Sequence, residues 1–475
     1  MNSISVKKIC EVTGGTLLNT GSEEEIQNLL LTEINKVILN SKETVPGSLF
    51  VPIIGEKTDA HDYIADAYNN GARVTFTSRD IIPSGTEGMA FIRVNDTKDA
   101  LQALGAYYRS CFKGKVIGIT GSVGKTTTKE MVAAALSAGS KVLKTSGNRN
   151  SQLGVPLMMF ELTDEFDTAV FEMGMSEFGE MERLAKVASP KWAVMTNIGV
   201  AHIAQLHTQE NIRSEKLKIT DSFDAEGGKL FINGEDELLL GVRPILPKDK
   251  KIDVITFGLS DKCDYYADGI LTIGETTEFD FRVTATGESE HVSIPVIGKH
   301  NVIDAVVAMA VAKEMGIEPV KSGKMLGVYS PMNMRGRIEN INGVILIDDT
   351  YNASPDSMRS GLDMVSGMNV NGRKTVVFAD VLELGEFSAK CHFDVGEYAA
   401  SKKIDRLVTI GAEARHIAEG AVKDGAAFDV CSYDSRDGVY ENELKKLKAG
   451  DVVYMKGSRG MRLDLLAQEL RDSLK

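Results

Sequence analysis

Gly118-Ile119-Thr120-Gly121-Ser122-Val123-Gly124-Lys125-Thr126 follows the β-branched run Lys115-Val116-Ile117 and leads into Thr127-Thr128-Lys129-Glu130-Met131-Val132-Ala133-Ala134-Ala135-Leu136. The order strand, glycine loop, Lys-Thr, helix predicts a phosphate-binding loop. Glycines let backbone N–H groups converge on phosphate oxygens, and the helix N-terminus adds partial positive charge. Lys125 supplies a full charge, and the Thr126 hydroxyl can hold Mg²⁺. The spacing is tighter than the common pattern, which would place glycine at position 119, where Ile119 stands. The expected nucleotide contacts are Thr120, Gly121, Ser122, Val123, Gly124, Lys125, Thr126 and Thr127.

Outward from this loop, apolar strands alternate with amphipathic helices. Thr168-Ala169-Val170-Phe171-Glu172-Met173-Gly174 reads as a strand ending in a carboxylate. Trp192-Ala193-Val194-Met195-Thr196-Asn197 reads as another, followed by Gly199 and His202. Buried strands alternating with helices predict a parallel, doubly wound α/β sheet. Residues 252–297 are richer in β pattern and are expected to form an antiparallel flank, and 303–315 return to helix. Near Arg335-Gly336-Arg337 the pattern restarts. Strands are expected at 343–349, 374–380, 407–411 and 451–457, a second α/β unit of about 140 residues without a GxGxxG fingerprint. Before the loop, 59–68 reads as a helix stopped at Asn69-Asn70-Gly71, 73–77 as a strand and 100–109 as a helix. The expected division is a small mixed α/β domain over 1–96, a central ATP-binding domain over 97–336, and a Rossmann-like domain over 337–475.

Length and composition agree with this division. At 475 residues, 43% hydrophobic and 25% charged, the chain has the profile of a soluble protein of about three domains. A net charge of −13 leaves no basic surplus for nucleic acid. The five cysteines are scattered and form no CxxC pair, so neither zinc nor a disulfide framework is expected. No apolar leader and no stretch long enough to span a membrane is expected.

Several residues carry chemistry on their own terms. Glu172, at the C-terminal end of a parallel strand, is the natural oxygen partner of Thr126 for Mg²⁺. His202 follows the next strand at the same edge and could be a ligand or a hydrogen-bonded structural residue. Lys216, in the charged run Ser214-Glu215-Lys216-Leu217-Lys218-Ile219, reads by itself as part of a solvated helix face. Asp349 could hold ribose hydroxyls, or belong with its neighbours to an N-cap cluster before Pro355. Arg337 could stabilise a transferred phosphoryl group or form an interdomain salt bridge. Lys456-Gly457-Ser458-Arg459-Gly460 could clamp a carboxylate or be a plain strand-to-helix turn.

Together these segments resemble the Mur ligases, the ATP-dependent amide-bond ligases of peptidoglycan precursor synthesis. The resemblance rests on the tight loop 120–126, Gly147-Asn148-Arg149-Asn150, Glu172-Met173-Gly174, Asn197-Ile198-Gly199-Val200-Ala201-His202 and Gly298-Lys299-His300-Asn301. It rests further on Asp349-Thr350-Tyr351-Asn352-Ala353-Ser354-Pro355, Leu382-Glu383-Leu384-Gly385 with His392, and Lys456-Gly457-Ser458-Arg459-Gly460-Met461-Arg462. It implies a UDP-substrate domain, a central ATPase and a C-terminal ligase domain. It also implies ATP, two Mg²⁺ sites, and UDP-N-acetylmuramoyl-tripeptide and D-alanyl-D-alanine as the partners to be joined. By position, Thr126 and Glu172 would serve one metal, and His202 and a carbamylated Lys216 the other. His300, Asn301 and Asp304 would line the adenine pocket, while Arg337 and Asp349 would reach the γ-phosphate and ribose. Ser41, Lys42, Asp59, His61, Asn148 and Asn150 would bind substrate, Ser41 and Lys42 in the uridine-binding region, and Tyr351, Asn352, Lys456 and Ser458 would lie where the dipeptide is expected. A monomer in the bacterial cytoplasm is expected.

The implied chemistry activates a carboxylate by phosphoryl transfer from ATP, then transfers the acyl group to an amine. The alternatives are a Mur-type ligase that adds a single amino acid, a P-loop kinase or ATPase, and a catalytically idle binder of UDP-muramyl peptides.

Overall fold

Val116, Ile117 and Ile119 are fully buried, which is why Lys115–Thr120 lies inside a sheet rather than at its edge. The computed structural model describes residues 1–423 and 425–475. Lys115–Thr120 belongs to a nine-stranded sheet. Its strand order is Glu288–Ile294, Thr276–Val283, Tyr265–Ile273, Ile252–Gly258, Gly228–Asn233, Trp192–Met195, Lys115–Thr120, Thr168–Glu172, Val142–Lys144. Both neighbours of Lys115–Thr120 run parallel to it, with Glu172 opposite Ile119 and Met195 opposite Thr120. Three C-terminal strand ends therefore open at one edge, where chain crossovers diverge and open α/β sheets bind ligands. Helix Lys125–Leu136 leaves this edge and packs against helix Lys299–Glu314. Buried alanines on both, among them Ala135, Ala305 and Ala308, let the two helices pack closely.

The β-rich segment 252–297 departs from expectation. Ile252–Gly258 and the start of Tyr265–Ile273 continue the parallel pairing, and only Thr276–Val283 and Glu288–Ile294 pair antiparallel. Val254, Ile255 and Phe257 are all buried, as a strand covered on both faces requires. Thr276–Val283 buries alternate residues only, the pattern of an antiparallel strand with one wetter face. The expected helix 59–68 is a 3₁₀ turn, Ala60–Tyr63, running into α-helix Ile64–Asn69, because the Asp59 side chain caps it through the His61 amide. The helix expected at 100–109 extends over Thr97–Cys111, capped by Asp96.

Residues before this helix form a five-stranded sheet ordered Thr16–Leu17, Ala90–Arg93, Val74–Thr77, Ser48–Phe50, Lys36–Ile38. It is tied to the central part by Thr97 Oγ1 donating to the Pro52 carbonyl and Tyr108 O–H donating to the Asn2 carbonyl, both at 2.5 Å. A third sheet has six strands ordered Arg337–Ile341, Val344–Asp348, Val452–Lys456, Lys374–Ala379, Arg406–Ile410, Asp429–Tyr433, all parallel but the first. It meets the central part where the Val200 amide donates to Asp356 Oδ2 at 3.3 Å. Among the described residues no helix is long and apolar enough to cross a membrane.

Helices Ser388–Ala400 and Arg415–Lys423 of the third layer touch backbone to backbone. A Cβ at Gly396 would lie 1.9 Å from the Ile417 carbonyl oxygen, and one at Gly420 2.2 Å from that of Phe393. Gly396→Ala is therefore expected to destabilise the protein by roughly 2 kcal/mol, overpacking outweighing the better helix propensity of alanine. Urea unfolding of the two proteins checks this; equal midpoints would mean that the helices separate freely.

Candidate active site

The phosphate loop is fixed from beneath by one residue. The Ser122 amide donates to the Asn197 carbonyl at 3.0 Å, and the Val123 amide to Asn197 Oδ1 at 2.9 Å. Asn197 Nδ2 and Thr196 Oγ1 both donate to the Val123 carbonyl. A Cβ at position 121 would stand 1.8 Å from Thr196 Oγ1 and 3.0 Å from Thr196 Cβ, so any side chain there would displace Thr196 from the loop it holds. The amides of Ser122 and Val123 are thus occupied by Asn197, while both residues line the cleft. The amides that open the helix, Gly124 to Thr127, are the ones aimed at an anion. Lys125 Nζ folds onto the carbonyls of Gly121 and Ser122, at 2.9 and 3.3 Å. The Ser122 hydroxyl, on the cleft lining, is buried without a partner among the described residues, as befits a loop built for a polar ligand.

Thr126 Oγ1 donates to Glu172 Oε2 at 2.9 Å, and Asn150 Nδ2 to Glu172 Oε1 at 2.6 Å. A buried hydroxyl beside a carboxylate is an oxygen donor pair suited to Mg²⁺, which completes its shell with water and phosphate oxygens. Across the loop, His202 takes a left-handed backbone at φ 64°, and its ring is pushed down to about 4 by burial and by the cations of Lys216 and Lys125. A neutral imidazole can ligate a metal, and Nδ1 makes no well-aligned hydrogen bond among the described residues. Glu383 Oε2 lies 3.2 Å from that nitrogen. Lys216 is not on a solvated face: it is fully buried, and its Nζ donates to the Gly121 carbonyl at 3.0 Å. Burial and nearby Lys125 hold its amine well below the usual lysine range.

The opposite wall comes from the third sheet. A cleft of about 450 Å³ is shared by Ser122–Thr126, Asn148, Asn150, Glu172 and His202 on one side and Tyr351, Asn352, Lys456 and Ser458 on the other. Lys456 Nζ donates to Asp349 Oδ2 at 2.5 Å, and Tyr454 O–H to the same oxygen at 2.9 Å. Ser458 Oγ accepts the Leu382 amide at 2.9 Å. Ser354 and Ser357 form a capping box and Pro355 opens the helix Pro355–Gly367, so the N-cap reading holds for Ser354 while Tyr351 and Asn352 face the cleft.

Other expected residues are not brought to this cleft. Arg337 is half exposed at a sheet edge and donates to Asn333 Oδ1 at 2.5 Å, because it begins the edge strand instead of preceding it. Asp349, Thr120, Gly121 and Lys216 are not among the lining residues, and Thr127 meets the cleft only through the helix opening to which its amide belongs. His300 is exposed at the start of its helix, and Asn301 Nδ2 is held by the Ile297 carbonyl at 2.7 Å. Asp304 is buried beneath Gly124, where Thr128 Oγ1 donates to it at 2.5 Å. Ser41, Lys42, Asp59 and His61 sit apart in the first layer. Lys42 is exposed, while the Ser41 carbonyl is held by Thr44 and Asn70. His61 is buried, with Nδ1 at 2.6 Å from Asp59 Oδ1 and Nε2 accepting the Ser78 amide at 3.0 Å. Both ring nitrogens are engaged, so His61 supports its loop and has no nitrogen left for a substrate. Arg79 and the His61 hydrogen bonds hold the Asp59 carboxyl down at about 2.

The sequence reading assigned no role to Asn197, Arg335 or Glu383. Asn197 and Glu383 stood inside quoted motifs, but only the folded loop shows what Asn197 clamps. Arg335 carries no spacing signal; its guanidinium lies over the Tyr351 ring, 3.8 Å from the centroid.

Comparison with known proteins accords with this geometry. The Mur ligase middle domain family matches residues 119–312, and the Mur ligase glutamate ligase domain family residues 334–459. The chain belongs to the Mur ligase family. The UDP-N-acetylmuramoyl-tripeptide–D-alanyl-D-alanine ligase of Bacillus subtilis strain 168 is 34% identical over 470 residues, spanning 99% of this chain and 98% of that protein. MurF from Acinetobacter baumannii superposes with a TM-score of 0.88 at 29% identity, covering 99% of both chains. The MurF ligase from Thermotoga maritima, solved in complex with ADP, superposes with a TM-score of 0.81 at 26% identity over 92% of this chain and 97% of its own. The three-domain α/β architecture expected from the sequence is the one these structures have.

Proposed function

We propose that this chain joins D-alanyl-D-alanine to UDP-N-acetylmuramoyl-tripeptide at the expense of ATP, giving the UDP-linked pentapeptide, ADP and phosphate. The observation that carries the reading is the single cleft in which the phosphate loop of the central sheet faces the Tyr351–Ser354 and Lys456–Arg459 turns of the third. Phosphate donor and amine acceptor meet there from different domains, as a two-step ligase requires.

In the first step a tripeptide carboxylate oxygen attacks the γ-phosphorus. The new P–O bond forms as the bond to the β–γ bridging oxygen breaks, and ADP leaves with the electron pair. Lys125 and the helix-opening amides of Gly124 to Thr127 neutralise the terminal phosphates as charge shifts toward the leaving oxygen. In the second step the free amine of the dipeptide attacks the acyl carbon and the C–O bond to phosphate breaks. Phosphate departs with that pair, and the proton lost by nitrogen passes to solvent. Tyr351, Asn352 and Ser458, which line the opposite wall of the cleft, would receive the dipeptide.

Thr126 and Glu172 would hold one Mg²⁺, and His202 with Lys216 a second. When bound, the metal supplies charge neutralisation at the β- and γ-phosphates. Lys216 would fit a cation site only as a carbamate. Burial and the nearby Lys125 charge disfavour its ammonium form, and it is the neutral amine that bonds to CO₂, losing one proton. The carbamate would be carboxylate-like and would suit the space beside His202. The expected domain limits, 1–96, 97–336 and 337–475, a monomeric state and a cytoplasmic location are parts of the same proposal.

Phosphate release is the test. With ATP, Mg²⁺ and UDP-N-acetylmuramoyl-tripeptide, release is expected to rise at least a hundredfold on adding D-alanyl-D-alanine. Release that needs no amine would indicate an ATPase, and release with a single amino acid but not the dipeptide would indicate a different Mur-type ligase.

A further inference from the structure

Three carboxylates line the cleft among the described residues, and two of them are engaged. Glu172 takes hydrogen bonds from Thr126 and Asn150, and Glu180 Oε2 takes those of the Ser176 and Glu177 amides. Glu383 is the third, and the only one that the third layer supplies. The one basic group within ion-pair distance of it among the described residues is His202, whose Nδ1 is 3.2 Å away without an aligned hydrogen bond. Lys125 and Lys216, the cations beyond His202, are turned to the carbonyls of the phosphate loop. The charge of Glu383 therefore faces the cleft with no lysine or arginine paired to it.

An exposed carboxylate on an ordinary surface needs no partner but water. Glu383 differs in how it is held. The turn that carries it is pinned by the Val381 amide donating to His392 Nε2 and the Leu382 amide donating to Ser458 Oγ, both at 2.9 Å. The Ser458 amide returns a hydrogen bond to the Asp380 carbonyl at 3.1 Å. On the other side Gly385 backs onto the central layer, where a Cβ would stand 2.9 Å from that of Ala204. Between these anchors Glu383 takes a left-handed backbone at φ 67°, which a non-glycine residue keeps only where its surroundings impose it. The strained turn carries the carboxylate to His202, where the two walls meet.

A dipeptide with a free amine is a zwitterion at neutral pH, its α-amino group having a pKa of about 8. The wall that would receive it offers one acid, Glu383, and two bases, Lys456 and Arg459. We propose that Glu383 binds the ammonium of the incoming D-alanyl-D-alanine and so positions the nitrogen beside the carbon it attacks. The proposal rests on the function given above and names the residue by which the cleft selects an acceptor with a free amine. Opposite charges on one wall also fix the direction in which the dipeptide lies, since the reverse placing would set like charges together.

Glu383→Gln keeps the size of the side chain and removes its charge. With ATP, Mg²⁺ and UDP-N-acetylmuramoyl-tripeptide saturating, it is expected to raise KM for D-alanyl-D-alanine about tenfold in the phosphate-release assay. Glu383→Asp is expected to fall between the two. N-propanoyl-D-alanine, the same dipeptide without its amino group, serves as a competitive inhibitor, and its inhibition constant is expected to be the same for wild type and Glu383→Gln. A residue that merely braces the two layers would weaken both compounds alike. That result, or an unmoved KM, overturns the proposal. A wild-type protein that releases no phosphate on adding the dipeptide overturns the ligase reading itself, whereas a normal wild-type response with KM unmoved in Glu383→Gln removes only the Glu383 contact.

Discussion

Replacing Lys125 by alanine is expected to lower kcat for dipeptide-dependent phosphate release by about a thousandfold or more, equivalent to roughly 4 kcal/mol of transition-state stabilisation. The ammonium sits at the base of the cleft, and its direct partners are the carbonyls of Gly121 and Ser122. Removing it leaves the loop anchored through Asn197 and Thr196, so the melting temperature should move little. Initial rates from a coupled phosphate assay, read beside a thermal melt, make the comparison. A variant that retains more than a tenth of wild-type turnover would take Lys125 out of the phosphate chemistry.

The second expectation concerns pH. Burial pushes the Asp304 carboxyl up to about 7, although Thr128 Oγ1 donates to it and opposes the rise. The folded pKa is above the unfolded one, so the native state keeps a proton that the unfolded chain has already lost. The stability linked to this group is complete below about pH 4 and is lost as pH climbs through 7. Between pH 5 and pH 8 the loss should be roughly 2–3 kcal/mol. Asp304→Asn keeps the shape without the ionisation. It is expected to flatten that dependence and to be the more stable form at pH 8. Trp192, the chain's only tryptophan, lies in the central sheet and reports its unfolding in urea by fluorescence. Parallel stability profiles for the two proteins between pH 5 and pH 8 would show that the carboxyl titrates normally.

The central layer was legible because its signal is local. An apolar run, a glycine loop and a helix opening in Lys-Thr lie within about twenty residues, and each has a physical reason to be where it is. Glu172 was legible for the same reason: a carboxylate at the end of a parallel strand can only arrive at the ligand edge. Lys216 shows the limit. Three charges in six residues read as a solvated face, yet one of them is buried under the loop, because burial is decided by packing between segments remote in sequence. Arg335 and Arg337 show it more sharply. Two arginines one residue apart are equivalent as text, and the start of an edge strand at 337 sends the second outward. His61 was legible as a residue of interest but not as one whose two nitrogens are already taken, since Ser78 is contributed by a distant turn.

Asn197 locks the phosphate loop to the end of the strand beside it, so the loop has little freedom left to lose. A nucleotide arriving at such a loop does not have to order it, and the entropic cost that flexible glycine loops carry on binding is largely absent. Loosening that clamp should therefore show itself in the heat balance before it shows itself in affinity. Nucleotide binding by Asn197→Ala would become more exothermic and entropically less favourable, as a floppy segment is immobilised that the native chain keeps already in shape.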